Sequence, residues 1–122
     1  MSEVVLWIIS GLLAVAFLMA GAMKAMQPKA KLAENMAWVE DFSDNQIKGI
    51  GILEILGALG LILPVLTGIA PILTPLAAIG LVLTMIGAAA THIRRGENQM
   101  IIPNIVLGLL AAVAAFGWFG AV

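Results

Sequence analysis

The sequence predicts an all-α transmembrane four-helix bundle with a short amphipathic interfacial segment between helices 1 and 2. Of its 122 residues, 62% are hydrophobic and only 11% are charged, against roughly 45–50% and about 25% in soluble domains. The apolar residues form four long stretches, each near the ~20 residues that a helix needs to cross a bilayer. The stretches are continuously apolar, whereas barrel strands would alternate over about 10 residues, so helices are predicted.

Composition also excludes several classes of function. The chain has no cysteine, which excludes disulfides, thiolate metal sites and iron–sulfur clusters. Its single histidine cannot supply two axial ligands to a haem. The formal net charge of −1 gives no electrostatic basis for binding nucleic acid. We therefore expect no metal site and no nucleic-acid partner, and the lipid bilayer is the partner that the composition implies.

The four stretches, called here the first to fourth spans, form one predicted transmembrane domain over residues 1–122. They cover about residues 4–26, 47–66, 72–91 and 101–122. The second and third spans are joined by a short turn, and the other two connections are longer and polar. All three connections are compatible with antiparallel neighbours in a bundle.

The connection between the first two spans is predicted to hold a short amphipathic helix rather than a polar loop. Pro28 suits the first turn of such a helix, and a helix with one apolar face would lie at the membrane surface. Its apolar residues follow helical spacing at Leu32, Met36 and Val39. Ser43 and Gln46 then form the Ser-x-x-Gln pattern of a capping box, which predicts the start of the second helix.

Charge placement predicts the orientation in the membrane. All six basic residues lie in or beside two of the connections: Lys24, Lys29, Lys31, Lys48, Arg94 and Arg95. The positive-inside rule therefore places the 1–2 and 3–4 connections in the cytoplasm and both termini outside the cytoplasmic membrane. Trp7 and Trp118 are expected at the outer interface and Trp38 at the inner one, as in aromatic belts.

Every span contributes a polar group to the half of the bundle that faces these connections. Glu54 lies about eight residues into the second span, so ~12 Å below the boundary at 1.5 Å per residue. Thr84 on the third span lies at the same depth. Ionisable groups inside a membrane are costly and commonly functional. The predicted ligand- or partner-binding residues are Lys24, Glu54, Thr84, His92 and Asn104.

Helical spacing places these polar groups on faces that carry small residues, which line helix–helix contacts in membranes. The third span shows this with Gly80 beside Thr84. Five further small residues are predicted at such contacts: Gly51, Gly57, Ala58, Gly108 and Ala111.

Each candidate also has an alternative role. Lys24 could snorkel to the interface, His92 could be an ordinary interfacial histidine, and Asn104 could bond near the start of its helix. Glu54 lies too deep to snorkel. It is predicted either to be ionised and paired with Lys24 or His92, or to be protonated and hydrogen-bonded to Thr84 or a backbone carbonyl.

Several of these segments resemble the DoxX-like family of small four-helix membrane proteins. The resemblance covers nearly the whole chain and is carried by residues 20–24, 49–64 and 90–97, followed by Pro103-Asn104. The Gly-x-x-Lys ending at Lys24, Glu54 inside a glycine-rich helix, and the His-x-Arg pair at His92 stand where such proteins have them. Relatives in this family are associated with quinone-linked sulfur oxidation, and others resemble assembly factors, including a chaperone of nicotinic receptors.

The resemblance implies two functions of different kinds. In the first, the chain is a non-catalytic accessory or assembly factor that holds a partner helix, a lipid or an apolar ligand at the polar cluster, with a membrane-protein partner or a homo-oligomer as its assembly. In the second, it is the membrane subunit of a quinone-linked oxidoreductase, with a quinone as cofactor. The sequence has no motif that carries electrons or binds a dinucleotide, so catalysis by this chain alone is not expected.

Overall fold

The computed structural model describes all residues, Met1–Val122, and contains helices and no strand. Four helices are long and apolar enough to cross a membrane, which confirms the predicted all-α bundle. They are α1 (Glu3–Met26), α3 (Asp44–Thr67), α4 (Leu73–Arg95) and α5 (Ile101–Ala121), and a short helix α2 (Lys29–Leu32) follows α1. The end that carries residues 27–43 and 96–100 is called the polar end.

The four long helices form a closed ring around one apolar core. α1 packs most extensively against α3, and α4 against α5; contacts of α3 with α4 and of α1 with α5 complete the ring. Large side chains from all four helices fill its centre: Phe17, Leu61, Leu81 and Trp118. The outer surface is also apolar, with Leu12, Leu53, Leu83 and Leu109 more than half exposed. Such a surface suits lipid, where outward-facing leucines cost nothing.

Local sequence signals determine the ends of the helices. Ser43 Oγ accepts from the Gln46 N–H at 3.1 Å, and Gln46 Oε1 accepts from the Ser43 N–H at 2.9 Å, so the predicted capping box starts α3. α4 continues to Arg95, beyond the predicted end near residue 91. It stops where Gly96 adopts a left-handed conformation (φ 71°), which glycine tolerates best. The polar residues from His92 onward therefore do not mark the end of the helix.

The predicted short amphipathic segment between α1 and α3 is present, but it consists of two short helical pieces and not of one continuous helix. After α2 the chain bends at Met36 (φ −130°, ψ 78°) and forms a 3-10 turn over Ala37–Asp41. A straight helix from residue 29 to 40 would span ~18 Å, whereas packed helices such as α1 and α3 lie about 8–10 Å apart. The segment must fold back to enter α3, so it bends.

The apolar spacing in this connection nevertheless identifies the buried residues. Leu32 and Val39 pack with Ile47 of α3 into a second, smaller core. Met36 and Trp38 are half-buried against it. We call residues 28–42 the cap segment, because this core fastens them over the polar end of the bundle.

Trp118 does not lie at a lipid interface, in contrast to its predicted position. It is 1% exposed, and its indole N–H donates to Ser10 Oγ on α1 at 2.9 Å. Trp7 packs edge-on against it, with ring centroids 5.2 Å apart. An indole N–H inside the bundle finds its partner on a neighbouring helix, so Trp118 is part of the core.

Small residues occupy the predicted helix contacts, with one exception. A Cβ on Gly57 would meet the Leu81 side chain, and one on Gly108 would meet Met85 at 3.4 Å. Ala58 and Ala111 are fully buried. Gly80 is the exception, because it is exposed and a Cβ there would meet nothing within 4 Å.

Candidate functional site: a buried ion pair at the polar end

The site begins with a close crossing of α1 and α3. A Cβ built on Gly21 would lie 2.6 Å from the backbone oxygen of Gly51, and a Cβ on Gly51 would lie 2.6 Å from that of Gly21. Neither helix could approach so closely with a side chain at these positions. Lys24 and Glu54 each follow three residues later, which is about one helical turn. Because α1 and α3 run antiparallel, Lys24 lies one turn nearer the polar end than the crossing and Glu54 one turn farther from it, and their long side chains meet across the crossing.

Lys24 and Glu54 form an ion pair inside the bundle. Lys24 Nζ donates to Glu54 Oε1 at 2.5 Å, and the two side chains are 12% and 2% exposed. The prediction that Glu54 lies inside the bundle and meets a polar group of another helix is confirmed. Two states were predicted for Glu54, paired with a cation or hydrogen-bonded as a protonated group, and the structure shows the pairing with Lys24.

Two aromatic residues of the cap segment complete the surroundings of this pair. Lys24 Nζ lies 5.6 Å from the centroid of the Trp38 ring, within the range of a cation–π interaction. Phe42 packs edge-on against Trp38, with centroids 5.5 Å apart. From the sequence, Trp38 was expected at the membrane interface and not in the site. Its contact depends on how the cap segment folds back, which no local pattern indicates.

The ion pair has unused hydrogen-bonding capacity. An ammonium group has three N–H donors, and a carboxylate accepts at about four lone-pair positions. Here one bond joins the two groups, and neither makes another hydrogen bond in the protein. Buried ion pairs usually compensate for lost hydration when further hydrogen bonds complete both groups.

His92 belongs to a second polar cluster and does not close the first. Its Nδ1 lies 3.0 Å from Glu97 Oε1, and the same oxygen accepts from Arg95 Nε at 3.2 Å. Arg95 also reaches the cap segment, with Nη1 2.8 Å from Asp41 Oδ1. The cluster joins the end of α4 to the 3-10 turn. Of the two partners predicted for Glu54, Lys24 is the one in the structure, and His92 bonds Glu97 instead.

The cap segment is also held from within. Lys29 Nζ donates to the backbone oxygen of Phe42 at 2.7 Å, which joins the two ends of the segment. Together with the Arg95–Asp41 ion pair and the small core around Val39, this bond holds Trp38 beside Lys24.

Thr84 and Asn104 do not contact the ion pair through any polar atom. Thr84 Oγ1 donates to Gly80 O on its own helix at 2.9 Å, so Thr84 is not the partner of Glu54 that its depth suggested. Asn104 Nδ2 donates to Met100 O at 3.1 Å, the helix-start bond that was its alternative role. Both residues are half-buried.

Two shallow apolar grooves lie on the outer face of α3. The first, of about 510 Å³, lies beside Phe42 and is lined by Gly49, Ile50 and Leu53. The second, of about 530 Å³, lies between α3 and α4 and is lined by Gly57, Gly80 and Thr84. Leu53 borders both grooves.

Glu97 is expected to make stability depend on pH. The His92 hydrogen bond, followed by the contact with Arg95, lowers the pKa of the Glu97 carboxyl. When folding lowers the pKa of a carboxyl group, the group stabilises the protein at pH values above its pKa in the unfolded state. This stabilisation is lost as the pH falls through its pKa in the folded state. The thermal midpoint of the wild type should therefore drop from about pH 5 downward, and that of Glu97→Gln should drop less.

The control for this measurement is Glu40→Gln, since Glu40 is exposed and makes no side-chain hydrogen bond. It should follow the wild-type curve. If Glu97→Gln and Glu40→Gln give the same pH profile, the His92–Glu97–Arg95 cluster does not stabilise the fold.

No group of three or more His, Cys, Asp or Glu side chains is arranged to hold a metal ion. Comparison with curated proteins and with solved structures finds no match. A family model described as the DoxX-like family matches residues 8–114. This range reaches all four spans and includes the cap segment and both partners of the ion pair, so the chain belongs to the DoxX-like family.

Proposed function

We propose that this chain is a non-catalytic accessory or assembly factor of the membrane, which holds a partner helix, a lipid or another apolar ligand at the Lys24–Glu54 pair. The observation that carries the proposal is the pair itself, which is buried, joined by a single hydrogen bond and located beside the Trp38 ring. An aromatic face next to unused donors and acceptors offers both apolar and polar contact to a ligand.

Stability alone is a weak explanation for this pair. Replacing a buried ion pair by apolar side chains of similar volume is often neutral or stabilising. Intramembrane ionisable residues mark binding sites and transport pathways by default. The cap segment adds to the argument, because three separate contacts hold it over the pair: Lys29 to Phe42, Arg95 to Asp41, and the Leu32–Val39–Ile47 core.

Native mass spectrometry of the protein in polymer discs, extracted with its own lipids, tests this function. The wild type should retain a lipid, another apolar molecule or a membrane protein that the variant Lys24→Met/Glu54→Leu loses. This apolar double variant removes both charges at once. Glu34→Gln changes an exposed carboxyl without a partner and should behave as the wild type. Identical bound molecules in all three proteins would contradict the proposal.

A second candidate function is the membrane subunit of a quinone-linked oxidoreductase. It is favoured by one observation, the free N–H donors of Lys24 beside the flat Trp38 ring. A quinone carbonyl accepts such a donor and its ring stacks on an indole. In the same experiment, a quinone bound to the wild type and absent from the apolar double variant would favour this function over the first.

We further propose that the polar end lies in the cytoplasm of a bacterial cell and that both termini lie outside its cytoplasmic membrane. All six Lys and Arg residues lie at or beside the polar end, and the opposite end has none. A fusion of alkaline phosphatase after Val122 should then be active, and a fluorescent protein at the same position should stay dark. The reverse result would place the cap segment outside the cell.

A further inference from the structure

Resting on the proposed function, we infer that the ligand of the Lys24–Glu54 pair is an electroneutral amphiphile with a hydroxyl head group, such as a long-chain alcohol or an acylglycerol. Three features of the structure support this inference: the charge of the pair, its unused hydrogen bonds and the apolar groove at Phe42.

The first feature is the charge of the site. Lys24 and Glu54 together carry no net charge, wherever the shared proton lies, and both side chains are almost completely buried. Lys29 and Arg95, the cations bonded to the cap segment, are engaged with Phe42 O and with Asp41 and Glu97, and Lys31 and Arg94 are exposed at the surface and not buried beside the pair. A charged head group would therefore remain uncompensated in a low-dielectric site, which is costly. A neutral head group avoids this cost.

The second feature is the unused hydrogen-bonding capacity of the two side chains. Beyond the bond that joins them, the Lys24 ammonium has no further acceptor in the protein, and the Glu54 carboxylate has no further donor. A hydroxyl both donates and accepts, so one such group can serve both partners. An ether, an ester or a quinone only accepts. It would bond Lys24 and leave the free Glu54 oxygen without a donor, and buried polar groups left without a partner are expensive.

The third feature is the apolar groove beside Phe42. Phe42 lines this groove of about 510 Å³ and packs against Trp38, whose ring faces Lys24. Ile50 also lines it and lies one helical turn from Glu54 on the same helix. Phe42 therefore connects the groove with the aromatic side of the ion pair, although neither Lys24 nor Glu54 lines the groove. Its lining is almost entirely apolar, as an alkyl chain requires.

Binding of three probes with one common tail tests the inference. Oleyl alcohol donates and accepts, oleyl methyl ether only accepts, and oleyl sulfate is anionic. Each is added at rising mole fraction to phosphatidylcholine nanodiscs that hold the full chain, and the bound fraction is read by native mass spectrometry. Wild-type protein should bind oleyl alcohol at about one tenth of the mole fraction that either other probe requires, since one unmet buried hydrogen bond costs about a factor of ten in affinity.

Two variants separate this inference from the proposed function. Lys24→Met/Glu54→Leu should bind the alcohol and the ether equally, and Glu34→Gln should keep the wild-type preference. Equal binding of alcohol and ether by the wild type, with both lost in the apolar double variant, would overturn the hydroxyl inference and leave the site intact. Preference for the sulfate would overturn the charge argument. Equal binding of every probe by the wild type and the apolar double variant would overturn the proposed function as well.

Discussion

Lys24→Met is expected to destabilise the protein by about 3–5 kcal/mol, because it leaves the Glu54 carboxylate buried without a partner. Glu54→Leu should cost a similar amount, since it isolates the Lys24 ammonium. The carboxylate is 2% exposed, so it cannot regain hydration without opening the contact between α1 and α3. Unfolding in dodecyl maltoside micelles with a rising fraction of sodium dodecyl sulfate, followed by circular dichroism, measures both losses.

The apolar double variant Lys24→Met/Glu54→Leu should recover most of this stability. Removing both charges leaves nothing unpaired, and apolar replacements of buried ion pairs are often neutral or stabilising. Lys31→Met is the matched control for the loss of a charge, because Lys31 is exposed and forms no ion pair; its effect should stay within about 0.5 kcal/mol. A double variant as unstable as the sum of the single ones would show no coupling between the two side chains, and would contradict the broken ion pair as the cause of the single losses.

Recovery of the fold in the double variant has a consequence for function. If the fold survives and the bound molecule is lost, the ion pair is present for binding and not for stability. Stability and binding are then controlled by different residues of α1 and α3. The apolar core around Phe17 and Leu61 holds the bundle, and Lys24 with Glu54 forms the site.

Elements that depend on local sequence were predicted well. Continuous apolar stretches locate the four long helices, and the Ser43 capping box marks the start of α3. The pairing of Lys24 with Glu54 was also within reach, because both lie in the same half of the bundle and a buried carboxylate needs a partner. All of these signals depend on spacing along one helix or on depth in the membrane.

The predictions that failed are those that depend on which helices are neighbours in the bundle. Thr84 and Glu54 lie at similar depth, but depth does not give the direction in which a side chain points around its helix. Glu54 faces α1 through the Gly21–Gly51 crossing, so it turns away from Thr84 on α4. Similarly, the left-handed Gly96 turns the chain back so that Glu97 meets His92. An acidic residue soon after His92 was the available signal.

Gly51→Ala is expected to be the most damaging single-methyl substitution in the bundle. The added Cβ would lie 2.6 Å from Gly21 O and 2.7 Å from Ala25 N. Both are backbone atoms of α1, which cannot rotate aside as a side chain can, so the two helices must separate. We expect a loss of about 3 kcal/mol in the same unfolding assay, at the upper end of the cost of overpacking.

Two other glycines calibrate this prediction, because they differ in what a methyl group would meet. At Gly57 the neighbour is the flexible Leu81 side chain, and at Gly11 nothing lies within 4 Å. Gly57→Ala should therefore cost less than Gly51→Ala. Gly11→Ala should stabilise α1 by up to about 1 kcal/mol through helix propensity. An equal effect of all three substitutions would mean that the helix crossing does not depend on backbone contact.

Separation of α1 and α3 at Gly51 should also disturb the ion pair, since Lys24 and Glu54 each lie one turn from the crossing and their hydrogen bond spans it. A Cβ on Gly51 would lie 2.9 Å from the Lys24 Cβ itself, so Lys24 moves directly. In Gly51→Ala, adding Lys24→Met should then cost much less than it does in the wild type, because the contact that it removes is already weakened. Full additivity of the two substitutions would show that the pair forms independently of the crossing, and the cap segment would then be what holds Lys24 beside Glu54.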